Sequence, residues 1–376
     1  MRPNNLSFML GAMLLASHTL LASYAMAGRI SVPPSSQAEI EDIIETRECD
    51  RCEIADISLS NIDLSNLSLV NSIIISVELV GADLSEADFS LASMLDVDFS
   101  ESNLQSANFE GTDIRIISLN DANLESANFY RTEMADGAFF RRSNLTGAVF
   151  KGAGVWDADF SDADLTDADF SDAELENTKF LGSDLSGADF TSTSFQDVVY
   201  DSRTKLPEDF YPPDTGLYLL APNSSATGIA VGGIELREHD LSGIDFSGSD
   251  MSADFSESNL NDAIFRDTLV RFSTFIDTSL VSADFCRANL NSTNLTRANL
   301  QDSVLTAAAM RSTDLTDADL RRSDLRRVDL SRAVIDGTNV QGAIYDANTQ
   351  FPEGFDPAAA GAILTSEASA DCPPLE

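Results

Sequence analysis

A five-residue unit repeats without a break between residues 157 and 195. Each copy has a small residue, a polar residue, usually aspartate, a leucine or phenylalanine, and two more residues that are mostly polar, as in ADFSD and ADLTD. A period of five matches neither the 3.6 residues of a helical turn nor the two-residue alternation of a strand. It predicts a chain that turns a corner every five residues. The large apolar residue at the centre of each unit and the small residue would face a narrow interior, and Asp, Asn, Ser and Gly would occupy the turns.

Copies of this unit run through most of the chain and are similar to a known family. The units ADFSD and ADLTD resemble the pentapeptide repeat family, whose pattern is A-[DN]-[LF]-x-x. The resemblance implies an all-β fold, a right-handed quadrilateral β-helix in which four units form each coil. Repeat stacks of this kind need caps, because an end coil otherwise exposes apolar side chains and unpaired backbone groups.

The aromatic residues provide a check that does not depend on the family. If four five-residue units form a coil, centres twenty positions apart should stack, and coils about 4.8 Å apart would bring neighbouring rings into contact. Aromatic residues do recur at this spacing, in three columns: Phe140, Phe160, Phe180 and Tyr200; Phe150, Phe170 and Phe190; and Phe89, Phe109 and Phe129.

A terminating segment occurs twice and predicts two tandem arrays. Tyr200-Asp201, Thr204 and Leu206-Pro207 recur 145 residues later with a phenylalanine in place of the leucine. Proline cannot donate to a strand ladder, so each copy should end a stack. We therefore predict a first β-helix with its cap over 56–222, a linker over 223–233 and a second capped β-helix over 234–368. The repeat frame gains one residue at 135–137, where we expect a bulge, and loses one before Phe255.

The N-terminal residues predict export. Residues 1–27 have a positive start, an apolar stretch and an A-x-A site, which is typical of a cleaved signal peptide, and a retained membrane anchor is the alternative. We expect a periplasmic or secreted protein with no stable membrane span after cleavage. Residues 28–55 should hold a linker, a short amphipathic helix over 38–46 that caps the first coil, and a C-x-x-C pair. Residues 369–376 should form a tail.

The chain has four cysteines. Cys49 and Cys52 favour a structural disulfide in an oxidising compartment, with a redox-active pair and half of a metal site as alternatives. Cys286 and Cys372 could pair with each other.

Composition argues against most catalytic and nucleic-acid functions. After signal cleavage, one histidine would remain, and no phosphate-binding, dinucleotide-binding or zinc-protease motif is present. We therefore predict no enzyme, no catalytic residue, no cofactor and no metal site; calcium between the stacked Asp164/Asp184 and Asp169/Asp189 is the alternative. The formal net charge of −39 should repel phosphates. It arises largely from the turn aspartates, and indicates either solvated repeat faces or a surface for a cationic partner.

Outward positions that depart from the repeat are candidates for an interaction surface. Apolar residues outside the centres should cluster on one outer face, where an exposed patch would indicate a protein partner, self-association as a homodimer, or cover by the N-terminal segment. These residues are Ile73, Ile75, Leu95 and Ile116. Trp156, the only tryptophan, should also point outward, either as an interface anchor or packed under a local irregularity. In the second array Arg287, Arg326 and Arg327 form either ion pairs with turn aspartates or a docking face for an acidic partner.

Two functions remain open at this point, beside the alternative of an enzyme with a thiol or carboxylate site. The first is a non-catalytic, exported scaffold that binds an unidentified protein. The second, which the resemblance implies because some family members are gyrase-directed quinolone-resistance proteins, is an acidic DNA mimic that binds a type II topoisomerase. The predicted signal peptide disfavours the second, since gyrase is cytoplasmic.

Overall fold

The computed structural model describes residues 37–212, 216–366 and 372. The predicted signal peptide, the linker over 28–36 and, apart from Cys372, the predicted tail lie outside these residues. The described chain has one helix, α1 (Gln37–Thr46). Its strands are β1 (Glu53–Ser58), β2 (Ile73–Glu78), β3 (Ser93–Asp98), β4 (Asp113–Ser118), β5 (Glu133–Phe139), β6 (Gly154–Trp156), β7 (Glu174–Glu176), β8 (Ser194–Gln196), β9 (Val198–Asp201), β10 (Leu217–Leu220), β11 (Ala230–Glu235), β12 (Asp250–Asp254), β13 (Ile344–Tyr345) and β14 (Ile363–Leu364).

The chain forms parallel β-solenoids with about 15 coils in all. Strands β1 to β8 follow one another in a single parallel sheet, and Ile54 pairs with Ile74 and Ile74 with Met94. On the other sides each coil meets the next through single-residue parallel bridges, such as Asn103 to Asn123, again twenty residues apart. The predicted all-β repeat fold with twenty residues per coil is confirmed.

Corners between units are left-handed, which explains the polar turn residues of the repeat. In the unit around Phe160, the Ala163 N–H donates to the Phe160 carbonyl at 3.0 Å and Asp162 between them has a φ of 57°. Most L-residues avoid this region, whereas Gly, Asn and Asp tolerate it. The aspartate before each centre also has a role in the turn, because the Asp189 carboxylate accepts the Thr191 N–H at 2.8 Å.

The phenylalanine columns form the core. Rings twenty or twenty-one residues apart are stacked, with centroids 4.8 Å apart for Phe129 and Phe150 and 4.7 Å apart for Phe150 and Phe170. Adjacent columns meet edge to face, as Phe160 and Phe170 do at 6.0 Å. Both geometries are favoured by aromatic pairs. The predicted stacking is confirmed within each group of phenylalanines, but Phe129 and Phe150, predicted to lie in two columns, belong to one continuous column.

Both frame changes distort a strand pair. The extra residue at 135–137 shifts the register between β4 and β5, so that Ile117 pairs with Ala138. The missing residue before Phe255 shifts the register between β11 and β12, so that Ile234 pairs with Ala253.

Matching networks end the two stacks. In the first, the buried Asp201 carboxylate accepts the N–H groups of Gly182, Arg203 and Thr204 at 2.9–3.1 Å. In the second, Asp346 accepts those of Arg327, Asn348 and Thr349 at 3.0–3.1 Å. At the other end of the first stack, Ile43 of α1 is buried against the first coils, as expected of a cap.

The chain divides into two compact units between Leu217 and Tyr218. Residues 223–233 differ from the predicted linker, because they form the first coil of the second unit: the Asn223 and Ala226 N–H groups donate to Ser242 and Asp245, and Val231 is buried. Sequence patterns missed this coil because a small alanine, Ala226, stands where other units have leucine or phenylalanine. Across the described residues, no helix is long and apolar enough to cross a membrane.

Candidate interaction surface

Four of the predicted apolar residues lie on the outer side of neighbouring strands in the first unit. Ile75 and Leu95 are direct partners in the β2–β3 register, and Ile73 lies two residues before Ile75. Ile116 follows Arg115, which is the β4 partner of Leu95. We call Ile73, Ile75, Leu95 and Ile116 the apolar patch. Ile116 is 41% exposed and the other three are half-buried.

Trp156 shares a column with Ile75 and Leu95 but does not extend freely into solvent. Its ring lies over Gly154, where an added Cβ would come within 2.8 Å of the indole. Gly154 therefore makes room for the ring, and Trp156 is half-buried. The prediction that Trp156 points outward holds for its position on the strand, while its ring packs back onto the strand.

Acidic residues surround the apolar patch. Asp96 and Asp136 occupy left-handed corners next to it, and Arg115 forms ion pairs with Asp113 at 3.3 Å and with Asp136 at 3.5 Å. Burial, followed by the nearby Asp113 carboxylate, raises the pKa of Glu133 on the next strand. The surface is thus an apolar centre with a negative rim.

Several further exposed apolar residues escaped the sequence prediction, and two of them share a repeat position with Ile116. Leu91 is 51% and Phe272 is 75% exposed, and both have positive φ, as Ile116 does. All three stand two residues after a unit centre, where most other units have Gly, Asn, Asp, Ser, Glu or Arg and one has Ala307. An apolar residue at that position of the repeat is a signal that could have identified them.

Two of the predicted arginines are engaged in ion pairs. Arg287 donates two hydrogen bonds, at 2.6 and 2.5 Å, to Asp267 on the preceding coil, which hold the pKa of Asp267 below its usual value. Arg326 pairs with Asp324 at 2.5 Å. Arg327 is exposed and its backbone N–H donates to Asp346. Of the two alternatives predicted for these arginines, ion pairing with aspartates therefore applies to Arg287 and Arg326. Their guanidinium groups are already engaged and do not form a docking face for an acidic partner.

Both cysteine pairs form disulfides. Cys49 and Cys52 are joined with a Cα–Cα distance of 5.5 Å, and the Cys49 N–H donates to Ser68 on the next coil. Cys286, which is fully buried, is joined to Cys372 with a Cα–Cα distance of 5.8 Å.

The stacked aspartates considered for calcium accept hydrogen bonds within the protein. The carboxylates of Asp164 and Asp169 accept hydrogen bonds from the N–H groups of Thr166 and Ser171, respectively. The Asp184 carboxylate accepts a hydrogen bond from the Lys205 ammonium at 2.6 Å. The Lys205 ammonium is the main cause of a lowered pKa at Asp184. Among the described residues, no group of three or more His, Cys, Asp or Glu side chains could hold a metal ion.

Comparisons with known proteins agree with the repeat fold. The model described as "Pentapeptide repeat region" matches residues 115–190, and "Pentapeptide repeats (8 copies)" matches 52–90, 83–115, 271–306 and 308–344. Together they cover more than half of the chain. No protein of curated function matches.

Several solved structures are similar to the chain. HetL, a pentapeptide repeat protein involved in heterocyst differentiation regulation in the cyanobacterium Nostoc sp. strain PCC 7120, is 20% identical over 85% of this chain and 99% of its own, with a TM-score of 0.18. Another Nostoc PCC 7120 pentapeptide repeat protein is 34% identical over 30% of this chain and 84% of its own, with a TM-score of 0.15. QnrB1, a plasmid-mediated fluoroquinolone resistance protein, is 14% identical over 44% of this chain and 93% of its own, with a TM-score of 0.25.

The five-residue period, the twenty-residue coil register and the matches to both family models lead to the same assignment. The chain belongs to the pentapeptide repeat family.

Proposed function

We propose that this protein is an exported, non-catalytic scaffold that binds another protein through the apolar patch of its first unit. The observation that carries the proposal is the register that places Ile75 and Leu95 side by side on the outer surface of β2 and β3. Interior positions of these strands are already filled by Ile74 and Met94, so the outer pair adds nothing to the buried core. Contiguous apolar residues on an outer face are typical of a partner site.

The rim of the patch indicates the chemistry of the partner. Asp96 and Asp136 lie beside the patch, and the chain as a whole has a net charge of −39. A partner with an apolar centre and basic flanking residues would be attracted, whereas the acidic rims of two copies would repel each other. A different protein is therefore favoured over a homodimer.

Export is supported by two independent features. Residues 1–27 have the composition of a signal peptide. Cys49–Cys52 and Cys286–Cys372 are paired, and disulfides persist in the periplasm and outside the cell.

Site-specific crosslinking in the producing cell tests the proposed surface. A photoreactive phenylalanine analogue replaces Leu95 on the patch or, as the matched control, Thr166 at the equivalent outward position of another side of the coil. We expect a discrete protein adduct at Leu95, lost when Ile75 is also changed to Asp, and no such adduct at Thr166. The same adducts at both positions, or none at Leu95, would contradict the proposal.

The net charge also favours the second candidate, an acidic mimic of DNA that binds a type II topoisomerase. Cell fractionation distinguishes the two candidates. The scaffold proposal expects protein lacking residues 1–27 in the periplasm or medium. Full-length protein in the cytoplasm would overturn export and favour the DNA mimic.

A further inference from the structure

The second unit has a recess of about 330 Å³ at the corner where its second coil is shortened. Gly232, Asp250, Ser252, Arg271 and Phe272 are among the residues that line it. None of these residues belongs to the apolar patch, which lies in the first unit.

The recess lies where the repeat is one residue short. β11 and β12 change register between Val231 and Ile234, and Val231 and Gly232 line the recess. Gly232 and Gly233 have no side chain to fill the space, and Gly233 has a φ of 63° that few other residues adopt readily. The Gly233 N–H donates to Ser252 Oγ at 3.1 Å, which leaves the hydroxyl proton of Ser252 available to a ligand.

Phe272 is unfavourable for the stability of the fold at its position. Its ring is 75% exposed, and its φ of 65° is in the left-handed region, where bulky residues are outliers. Ser292 and Ser312 occupy the same corner on the following coils. A serine here would avoid the exposed ring and ease the backbone, so the ring does not serve stability.

The recess carries one charged side chain of each sign, Asp250 and Arg271. Arginines such as Arg266, Arg297 and Arg322 pair with Asp284, Asp277 and Asp302, respectively. Within the described part of the chain, Arg271 and Asp250 form no ion pair. The recess therefore presents an unpaired guanidinium, an unpaired carboxylate and a hydroxyl beside an exposed aromatic ring, with no net charge of its own.

We infer that this recess binds a neutral glycan, with one pyranose ring stacked on Phe272. The face of a pyranose is a flat array of C–H groups that fits an aromatic ring, and its edge carries hydroxyl groups that both donate and accept hydrogen bonds. Asp250 accepts from one hydroxyl group, and Arg271 and Ser252 donate to others. Anionic ligands, including nucleic acids, are disfavoured by the net charge of −39.

Saturation-transfer NMR on the protein without residues 1–27 tests this site with three neutral probes, cellotriose, maltotriose and N,N′,N″-triacetylchitotriose. Because the recess is open, we expect at least one probe to bind with a dissociation constant on the order of 1 mM. Phe272→Ser should weaken binding at least tenfold and raise Tm, because serine suits this corner. Asp250→Asn should weaken binding without raising Tm.

Leu91→Asn is the matched control, since Leu91 is an exposed apolar residue at a left-handed corner of the other unit. It should leave glycan binding unchanged. Binding of none of the three probes, equal binding by Phe272→Ser and the unchanged protein, or tighter binding of the tripeptide Gly-Phe-Gly than of every glycan would overturn the inference. None of these outcomes depends on crosslinking at Leu95.

Discussion

At the scale of single residues, the corner position decides which side chains are tolerated. Corner residues such as Asp162 and Asn61 have φ values of 57° and 58°, in a region that short polar side chains enter most easily. Apolar residues at the same position lower the stability of the folded state in two ways, through backbone strain and through exposure of the side chain to water. Ile116 is the most strained of them, because branched side chains are the poorest fit to this region.

Ile116→Asn should therefore raise the free energy of unfolding by about 1 kcal/mol, as measured by chemical denaturation. Ser76→Asn is the matched control on a neighbouring coil, where a short polar residue already occupies the left-handed corner, and it should have little effect. A lower stability for Ile116→Asn would mean that this side chain makes packing contacts that outweigh the strain.

Glu133 should have the opposite pH dependence from most carboxylates of the chain. Burial, Asp113 and, more weakly, Glu174 raise its pKa above the ordinary value of 4.5. The folded state then binds the proton more tightly than the unfolded state, so stability from this group is present at low pH and is lost as pH rises through the raised pKa.

Glu133→Gln should consequently stabilise the first unit at pH 7 by about 0.5 kcal/mol after solvent screening, and the gain should vanish at pH 3. Thermal melting at the two pH values measures this difference. Glu101→Gln, at an exposed corner, is the control and should show no such pH-dependent gain. A gain at pH 3 equal to that at pH 7 would rule out the charge as its cause.

At the scale of elements, the phenylalanine columns and the caps hold the coils together. Phe170 is fully buried between Phe150 and Phe190 in its own column, with centroids 4.7 and 5.4 Å away. Phe190, at the end of the same column, is half-buried. Each interior ring thus stabilises the coil above and the coil below.

Phe170→Ala should destabilise the first unit by about 3–5 kcal/mol, because it leaves a cavity in a closed stack. Phe190→Ala should cost clearly less, since water already reaches that ring. Urea unfolding followed by circular dichroism compares the two. Equal losses would contradict the assignment of Phe170 to the centre of the core.

Asp346→Ala tests the cap of the second unit. Burial acts to raise the pKa of Asp346, but hydrogen bonds from the N–H groups of Arg327 and Asn348 and from Thr349 outweigh it and lower the pKa. The ionised group therefore stabilises the fold above its unfolded pKa, and that stability is lost as pH falls through the lowered value.

We expect Asp346→Ala to cost about 2–3 kcal/mol at pH 7, because buried N–H groups lose their acceptor. The difference from the unchanged protein should narrow below pH 3. Asp336→Ala, at an exposed turn, is the control and should be nearly neutral at both pH values. A pH-independent loss at Asp346 would indicate packing rather than charge.

At the scale of the whole molecule, charge opposes folding. The chain has 62 acidic and 23 basic residues, and the ion pairs between arginines and turn aspartates leave most carboxylates without a cation. Like charges on successive coils repel one another across a few ångströms, and salt screens this repulsion.

Raising NaCl from about 10 mM to 200 mM, which shortens the Debye length from about 30 Å to below 8 Å, should therefore raise Tm by several degrees. Calorimetry measures the shift, and choline chloride at the same ionic strength should reproduce it because screening does not depend on the cation. A lower Tm in salt would mean that the arginine–aspartate pairs outweigh the repulsion.

The sequence alone determined the solenoid, because an interior that admits one large and one small side chain in every five residues imposes its own period on the chain. Phe150, Phe170 and Phe190 could be assigned to one column by counting, and the double terminator indicated two stacks. Tertiary structure alone decided where the pattern is weak or where side chains from different coils meet. Ala226 belongs to a coil that the sequence pattern conceals, Trp156 packs onto Gly154, and the recess beside Phe272 lies where β11 and β12 change register. These outcomes depend on the free space between neighbouring coils, which a linear period does not specify.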